Sequence, residues 1–461
     1  MCANLNEYPE YRASRVEWLG EVPAHWEVRR LGQIGIFAKG HGGSKEDEVE
    51  VGMPCVRYGD LYTTHEHFIH DSRAAIPERL THEYTPIRFG DILFATSGET
   101  LDEIGKSAVN LMTSEARCGG DLLIFRSKRR VDAKYMGYAT HCRPAAIQKA
   151  RMGRGFTVMH IYANQLKRLV VALPPLAEQA AIVRFLDYVD QRIRQYIRGK
   201  EKLIARLEEQ KQAAVEQAIT GQIDVRTGRP YAAYKDSGVE WLPRVPAHWE
   251  RYRLKTLLKG VDQRSSTGSE TLLSLRRDHG IVVYADHFNR PPQAKSLVGF
   301  KLVAPGQLVV NRLQANNGLV FRSSLHGLVS PDYSVFRAKL SERLAMRYLS
   351  DLLRTARCRA HFRRESTGLG TGTAGFLRLY DDRFLATTVY LPPKGMQERI
   401  LNWRGLTTAK ATRRVDHAGR QIALLREYRQ RIIADAVTGK LDLRDSAAAL
   451  PEADSLAHDP G

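Results

Sequence analysis

Cysteine is scarce in this chain. Five occur in 461 residues, at positions 2, 55, 118, 142 and 358, and no two stand in C-x-x-C spacing. An odd, scattered set excludes a disulfide framework and a zinc knuckle, and points to a reducing, cytoplasmic compartment. Long apolar runs are also lacking: nothing approaches the roughly 18 residues of a membrane span, and the polar N-terminus does not read as a signal peptide. Acidic residues are in deficit, 51 Asp and Glu against 70 Lys and Arg, which leaves a formal charge of +19 and a pI near 9.7. A surplus of that size favours a polyanionic partner, nucleic acid before membrane.

Catalytic signatures are missing as well. Residues 370–375 spell G-x-G-x-x-G, but a basic helical stretch precedes them and a strand-like segment follows, the reverse of a dinucleotide fold. The run from Gly98 to Ser107 ends like a phosphate-binding loop, yet six residues separate its glycines where four are required. His65, Glu66, His67, His70 and Asp71 form one local cluster with no second set of ligands to complete a metal site. Pro174-Pro175 and Pro392-Pro393 follow leucine, not the Asn or Asp of an amino-methyltransferase motif, and no nuclease cluster of carboxylates and lysine is present. The chain therefore reads as catalytically empty, with no metal and no cofactor.

What is present is a duplication. Residues 11–31, YRASRVEWLGEVPAHWEVRRL, align without gaps to 234–254, YKDSGVEWLPRVPAHWERYRL, with 14 of 21 positions identical. A second repeat joins the stretch from Leu173-Pro174-Pro175 to Thr220-Gly221 with that from Leu391-Pro392-Pro393 to Thr438-Gly439, at an offset of 218 where the first is 223. The variable segment between the constant blocks is thus five residues longer in the first copy. The spacing sets out a tryptophan motif at 1–26, a domain at 27–172, a central helix at 173–226, a linker with the repeated motif at 227–249, a second domain at 250–390, a distal helix at 391–444 and a frayed tail at 445–461.

Each domain shows short apolar runs bounded by turn residues, at 90–95 and 122–125 and again at 306–310 and 333–336. A helical stretch follows near 133–149 or 340–359, then one more strand at 166–173 or 384–391. The expectation is α+β: two duplicated α/β domains with mostly antiparallel or mixed sheets, separated by two long helices. In the first helix Ile182, Leu186, Val189, Ile193, Tyr196, Leu203 and Leu207 make a heptad seam interrupted at Lys200. Val415, Ala418, Ile422, Leu425, Tyr428 and Ile432 continue the pattern in the second, whose opening half, with Gly405, Thr407 and Thr408, is expected to be less regular. About 45 residues make a rod of roughly 65 Å. Two such rods can pair as an antiparallel coiled coil; the competing arrangement packs each on its own domain. The tryptophans of the repeated motif are expected to dock on the body of the protein.

Basic and amide side chains gather in the domains' loops: Arg57, Tyr58, Ser97, Lys106, Arg151 and Arg154 in the first; Arg276, Arg277, Asn311, Arg312, Gln314, Asn316, Asn317 and Arg322 in the second. Arg pairs with guanine O6 and N7 and Asn or Gln with adenine N6 and N7, while other cations fix the register on phosphates. These are the candidate DNA-binding residues.

Taken together, the doubled VEWL-x-x-VPAHW motif, Gly90-Asp91-Ile92-Leu93-Phe94 with the later Gly105-Lys106, and LPPLAEQAAIVRFLD at 173–187 resemble the DNA specificity subunit of type I restriction-modification enzymes, over residues 11–444. The resemblance implies a non-catalytic subunit whose two target recognition domains each read half of a split double-stranded DNA site. The helices would serve as ruler and as docking surface for two modification subunits, which bind S-adenosylmethionine and methylate adenine; separate restriction subunits hydrolyse ATP and cut. Pro174, Pro175, Glu178, Gln179, Pro392, Pro393 and Gln397 are the candidate partner-binding residues. The second copy departs from the first in having Met396 where Glu178 stands. A coiled-coil interaction scaffold and an unrecognised DNA-modifying enzyme are the alternatives.

Overall fold

A computed structural model describes residues 6–43, 45–98, 100, 103–154, 159–369 and 376–451. The 370–375 glycine run lies outside them, as do Glu99, Leu101 and Asp102 of the 98–107 run. The chain divides into two compact units, residues 1–201 with 419–461, and residues 202–418. Among the described residues no helix is long and apolar enough to cross a membrane.

The long helices run from Leu176 to Ile219 and from Lys394 to Val437, 44 residues each. Both units are built on them. In the first unit Ile182, Val183, Phe185 and Leu186 share a core with Ile432, Ile433, Ala436 and Val437. In the second, Ala218 and Ile219 share one with Ile400. Early residues of one helix thus meet late residues of the other, the antiparallel pairing that the seam predicts. The distal helix is unbroken, contrary to the irregular opening expected from Gly405. Gly costs about 1 kcal/mol relative to Ala inside a helix, and burial of Ile400 and Gln397 on the domain outweighs it.

The first unit's domain holds a five-stranded sheet in the order Gly35–Lys39, Leu122–Ser127, Ile92–Ala95, Ser107–Asn110, Phe68–Ile69. Its pairs are antiparallel except the last. A second sheet joins Ala74–Ile76, Met53–Val56, Ala116–Cys118 and Thr85–Ile87. In the second unit Leu258–Val261, Tyr333–Ala338, Leu308–Asn311 and Val320–Arg322 form a wholly antiparallel sheet. The central strands are buried along their whole length, as at Ile92–Ala95 and Leu308–Asn311, because helices and loops cover both faces.

The helical stretches after these sheets are each two helices: Ala133–His141 and Arg143–Met152, then Met346–Leu353 and Ala356–Glu365. Pro144, at the start of its helix, has no N–H to donate and crowds the preceding turn, so the chain leaves the helix at Cys142 (ψ 159°). Thr355 makes the second break, its hydroxyl capping the new helix at Cys358 N. Each domain closes on a strand, Val170–Leu173 or Thr388–Leu391, antiparallel to Glu27–Arg30 or Glu250–Arg253 directly after the tryptophan motif. The tail is more ordered than expected as far as it is described, forming a helix over Arg444–Ala448.

Candidate nucleic-acid interface and helix-start clamp

The connection from Ile92–Ala95 to Ser107–Asn110 in the first domain and that from Leu308–Asn311 to Val320–Arg322 in the second join antiparallel neighbours in the same chain order. These connections carry Ser97 and Lys106 in the first domain and Arg312, Gln314, Asn316 and Asn317 in the second. In the first domain the Tyr58 hydroxyl donates to Ser97 O at 2.9 Å and Tyr62 to the same carbonyl at 2.7 Å. Lys106 Nζ donates to Tyr62 O at 3.3 Å and lies 5.5 Å from the centre of its ring. Burial lowers the Lys106 pKa, and Glu66 and Glu103 oppose that. Ser97–Gly98 pairs with Met159–His160, and Arg154 bridges to His160. Tyr58, Ser97, Lys106 and Arg154 therefore belong to one neighbourhood, with Tyr62 and His160 as members that residue type alone did not single out. Arg57 caps the helix Tyr58–Thr63 through its backbone N–H to Asp60 (2.9 Å), with Glu48 3.9 Å from its guanidinium. Arg151 stands apart, exposed, 4.0 Å from Glu17.

In the second domain Gln314, Asn316 and Asn317 sit on a tight turn that ends at Gly318, where φ is +85° and only glycine is unstrained. Gln314 and Asn317 are exposed and Asn316 half-buried. Asn311 is buried instead; its side-chain oxygen accepts from Leu313 N at 3.1 Å and shapes the turn. Arg312 donates to Asp332 O at 2.6 Å, and Arg378 reaches the Asp332 carboxylate at 3.2 Å. Arg276 and Arg277 are exposed on a separate hairpin, where Arg276 lies over the Phe288 ring at 5.2 Å. Arg322 is exposed at the far end of its strand.

The starts of the long helices have a different architecture. Pro174 and Pro392 are buried, Pro175 and Pro393 exposed. Glu178, Gln179 and Gln397 face inward. Gln179 accepts from Asp132 N and donates to Pro174 O, both at 2.8 Å. Gln397 repeats this with Ala345 N, Pro392 O and also Arg343 O, all at 2.9 Å. Each glutamine thus clamps the N-terminus of a domain helix to the start of a long helix. Glu178 accepts from Trp26 Nε1 at 2.9 Å, from His25 Nε2 at 2.8 Å and from the Tyr8 hydroxyl. Burial and the Glu178 bond raise the Tyr8 pKa, so the phenol remains a donor. These three candidate partner-binding side chains spend their hydrogen bonds inside the chain, and Pro175, Pro393 and the exposed Leu176 are what the helix starts present outward. In the second unit Met396 replaces the carboxylate, and Tyr231 Oη and Trp249 Nε1 are buried with no hydrogen-bond partner among the described residues.

His65, His67 and His70 line a cleft with Glu66, Asp187, Asp190 and Arg194. Glu66 is committed to Arg194 and Arg429, and among the described residues no group of three or more His, Cys, Asp or Glu is placed to hold a metal.

Residues 23–208 match the family described as "Type I restriction modification DNA specificity domain". The putative type I restriction enzyme MjaX specificity subunit of Methanocaldococcus jannaschii is 30% identical over 196 residues, 41% of this chain and 45% of that relative. The type I restriction enzyme MjaVIII specificity subunit of the same organism is 22% identical over 237 residues, 51% of this chain and 50% of the relative. The chain thus spans about half the length of the curated relatives it matches. Among solved structures, one described as the structural basis underlying complex assembly and conformational transition of the type I R-M system superposes with a TM-score of 0.63 at 16% identity, covering 91% of this chain and 99% of that one. The HsdS subunit from Thermoanaerobacter tengcongensis gives 0.51 at 17%, covering 91% and 98%. At such identities the likeness is one of fold, and it extends beyond the segment that the family model matches. Residues 23–208 are thus similar to the type I restriction-modification DNA specificity domain, and the fold of the rest of the chain continues that likeness.

Proposed function

We propose that this chain is the DNA-reading subunit of a type I restriction-modification enzyme and catalyses nothing itself. Each domain, 27–172 and 250–390, reads one half of a bipartite site, and the helices set the gap and dock two methyltransferase subunits, with restriction and translocase subunits joining the full complex. The observation that carries this reading is the family match over 23–208 together with a second domain built on the same plan. Support also comes from the matched loops: the Tyr58, Ser97, Lys106 and Arg154 neighbourhood and the Arg312 to Asn317 turn occupy equivalent positions and carry donors of the kind that reach bases and phosphates. Half-sites on one face of DNA lie about 34 Å apart, within the reach of helices of roughly 65 Å.

Mapping methylated adenines after assembly with the modification subunits tests the reading. A split motif with a fixed gap is expected, and replacing 27–172 with a relative's domain should change one half alone. If both halves change together, the two-reader proposal fails. Inserting four residues, about one turn, into both long helices should change the permitted gap; an unchanged gap would show that the helices are not the ruler. Turnover of DNA by the purified chain with Mg²⁺ and S-adenosylmethionine, without partners, would overturn the non-catalytic assignment.

A further inference from the structure

Beside the second domain's helix Met346–Leu353 lies an open cleft of about 350 Å³ lined largely by arginine. Arg322 enters from a strand end, Arg347 and Arg354 from the domain helix and its C-cap, and Arg404 from the long helix. Four guanidinium groups face one carboxylate, Asp351, which pairs with Arg404. Arg354 is held by the face of Phe321, 4.2 Å from the ring centre, and donates to Arg277 O at 3.4 Å. Arg322 and Arg347 make no ion pair among the described residues. Burial lowers the Arg354 pKa, and Arg404 and Arg359 add to that against Asp351 and Asp278. Asp351 is pushed up by burial in spite of its arginine neighbours. Four guanidinium groups outnumber the one carboxylate that lines the cleft, and Arg322 and Arg347 are exposed to meet an anion there.

The equivalent place in the first unit has no such surplus. There Lys134 pairs with Asp187 at 2.6 Å, the Tyr138 hydroxyl donates to the same carboxylate at 2.9 Å, and Asp190, Glu66, Arg194 and Arg429 neutralise one another. The arginine cleft is therefore a property of the second copy, not of the shared plan.

We propose that the Arg322, Arg347, Arg354 and Arg404 cleft is a phosphate-binding site that anchors the DNA backbone beside the second domain. Guanidinium forks match phosphate oxygens bidentately, and the neighbouring Arg277 hairpin and the Arg322 strand extend the positive surface along which a backbone would run. The inference rests on the DNA-reading function above and adds an anchor that carries no sequence information.

The test uses the full chain and a 30-base-pair duplex of mixed sequence, with affinity measured across salt concentration, and thermal melting in pyrophosphate as a separate arm. Arg322→Ala with Arg347→Ala, which leaves the Asp351 pair intact, should weaken DNA binding roughly tenfold and lower the salt slope by about 1 to 2. Arg322→Lys with Arg347→Lys should restore the slope, and the melt without ligand should match the unsubstituted chain. A slope that does not change, together with a pyrophosphate-induced rise in melting temperature that the alanine pair abolishes, would keep the phosphate site and assign it to a free phosphate compound. No change in either arm overturns the proposal. Unsubstituted chain that fails to bind DNA but responds to pyrophosphate would sink the DNA-reading function and leave the cleft standing.

Discussion

The carboxylate of Glu178 is the sharpest chemical difference between the two copies, and replacing it with the methionine of the second copy gives a prediction of definite size. Glu178→Met removes the acceptor of Trp26 Nε1, His25 Nε2 and the Tyr8 hydroxyl. His25 is half-exposed and can turn to solvent, but Trp26 is 1% exposed and Tyr8 4%, so their donors are orphaned. A hydrogen bond to a charged group contributes about 1.5–3 kcal/mol, and an unsatisfied buried donor costs about 1–3 kcal/mol. Part of the loss is offset because a buried carboxylate no longer has to be desolvated. The net cost is about 2–4 kcal/mol, bounded by the second unit, which folds with Met396 and two orphaned donors. Hydrogen exchange, resolved by peptide, is the assay because a two-unit chain need not unfold in one step. Protection over 170–187 and 430–443 should fall about 30- to 700-fold, with 215–225 and 388–401 unchanged. Glu178→Gln, which keeps one acceptor oxygen, should fall between, and Met396→Glu should raise protection in the second unit. A loss below threefold in the first unit, or equal losses in both, would refute the reasoning.

The glutamine clamp should matter comparably: Gln397→Ala loses three hydrogen bonds from a fully buried amide, and a cost of about 2–4 kcal/mol should appear as local deprotection of 343–350. Gly439→Ala sets a Cβ 2.3 Å from Pro23 Cδ at φ +78°, and Gly221→Ala sets one 2.6 Å from Pro246 Cδ at φ +77°; each should lower the melting temperature by several degrees through about 2 kcal/mol or more of strain. Acid should act on the first unit, because burial holds His67 at about 4, with Glu66 opposing, and holds His141 well below its usual range. A folded-state pKa below the unfolded one means that the unfolded chain binds more protons between about pH 6.5 and 4. Stability is then fully present above that window and falls by about 3 kcal/mol for His67 alone as pH drops through it, a slope that urea titrations of His67→Phe should show flattened.

The repeated motif and the heptads made the long helices and the buried tryptophans legible, because both signals are local and doubled. Strand positions followed from short apolar runs. The helix breaks were harder: Pro144 marks one, but Thr355 acts only through a cap that any polar surface residue can imitate. Glu178 and Gln179 looked like surface groups at a helix start, since nothing local says that Trp26, some 150 residues earlier, is waiting with its N–H. The arginine cleft was only partly visible. Arg322 was singled out by type, whereas Arg347 and Arg354 share a helix face at a spacing of seven and Arg404 arrives from another helix, so their convergence exists only after folding.

The same contacts decide how one of the two domains can be exchanged. In the first unit Trp26 and Pro23 pack against Gly439, and in the second Trp249 and Pro246 pack against Gly221. Each tryptophan motif is therefore covered by the end of the helix that belongs to the other linear repeat, and a unit is not a repeat. Tyr135 donates to Ala172 O at 2.8 Å and Val437 O at 3.4 Å; Tyr348 donates to Ile219 O at 2.6 Å. Both tyrosines are wholly buried, so a graft lacking that hydroxyl strands helix-end carbonyls without a donor. A segment spliced into 27–172 has to bring a tyrosine at the position of Tyr135 and a free backbone N–H at that of Asp132 for Gln179. Ser97, Lys106, Arg154 and His160 take no part in these contacts. Under the proposed DNA-reading function, specificity is thereby separated from assembly within a single domain: the helix-facing edge is held by a buried tyrosine and glutamine, and the candidate DNA-binding side chains stand outside that frame.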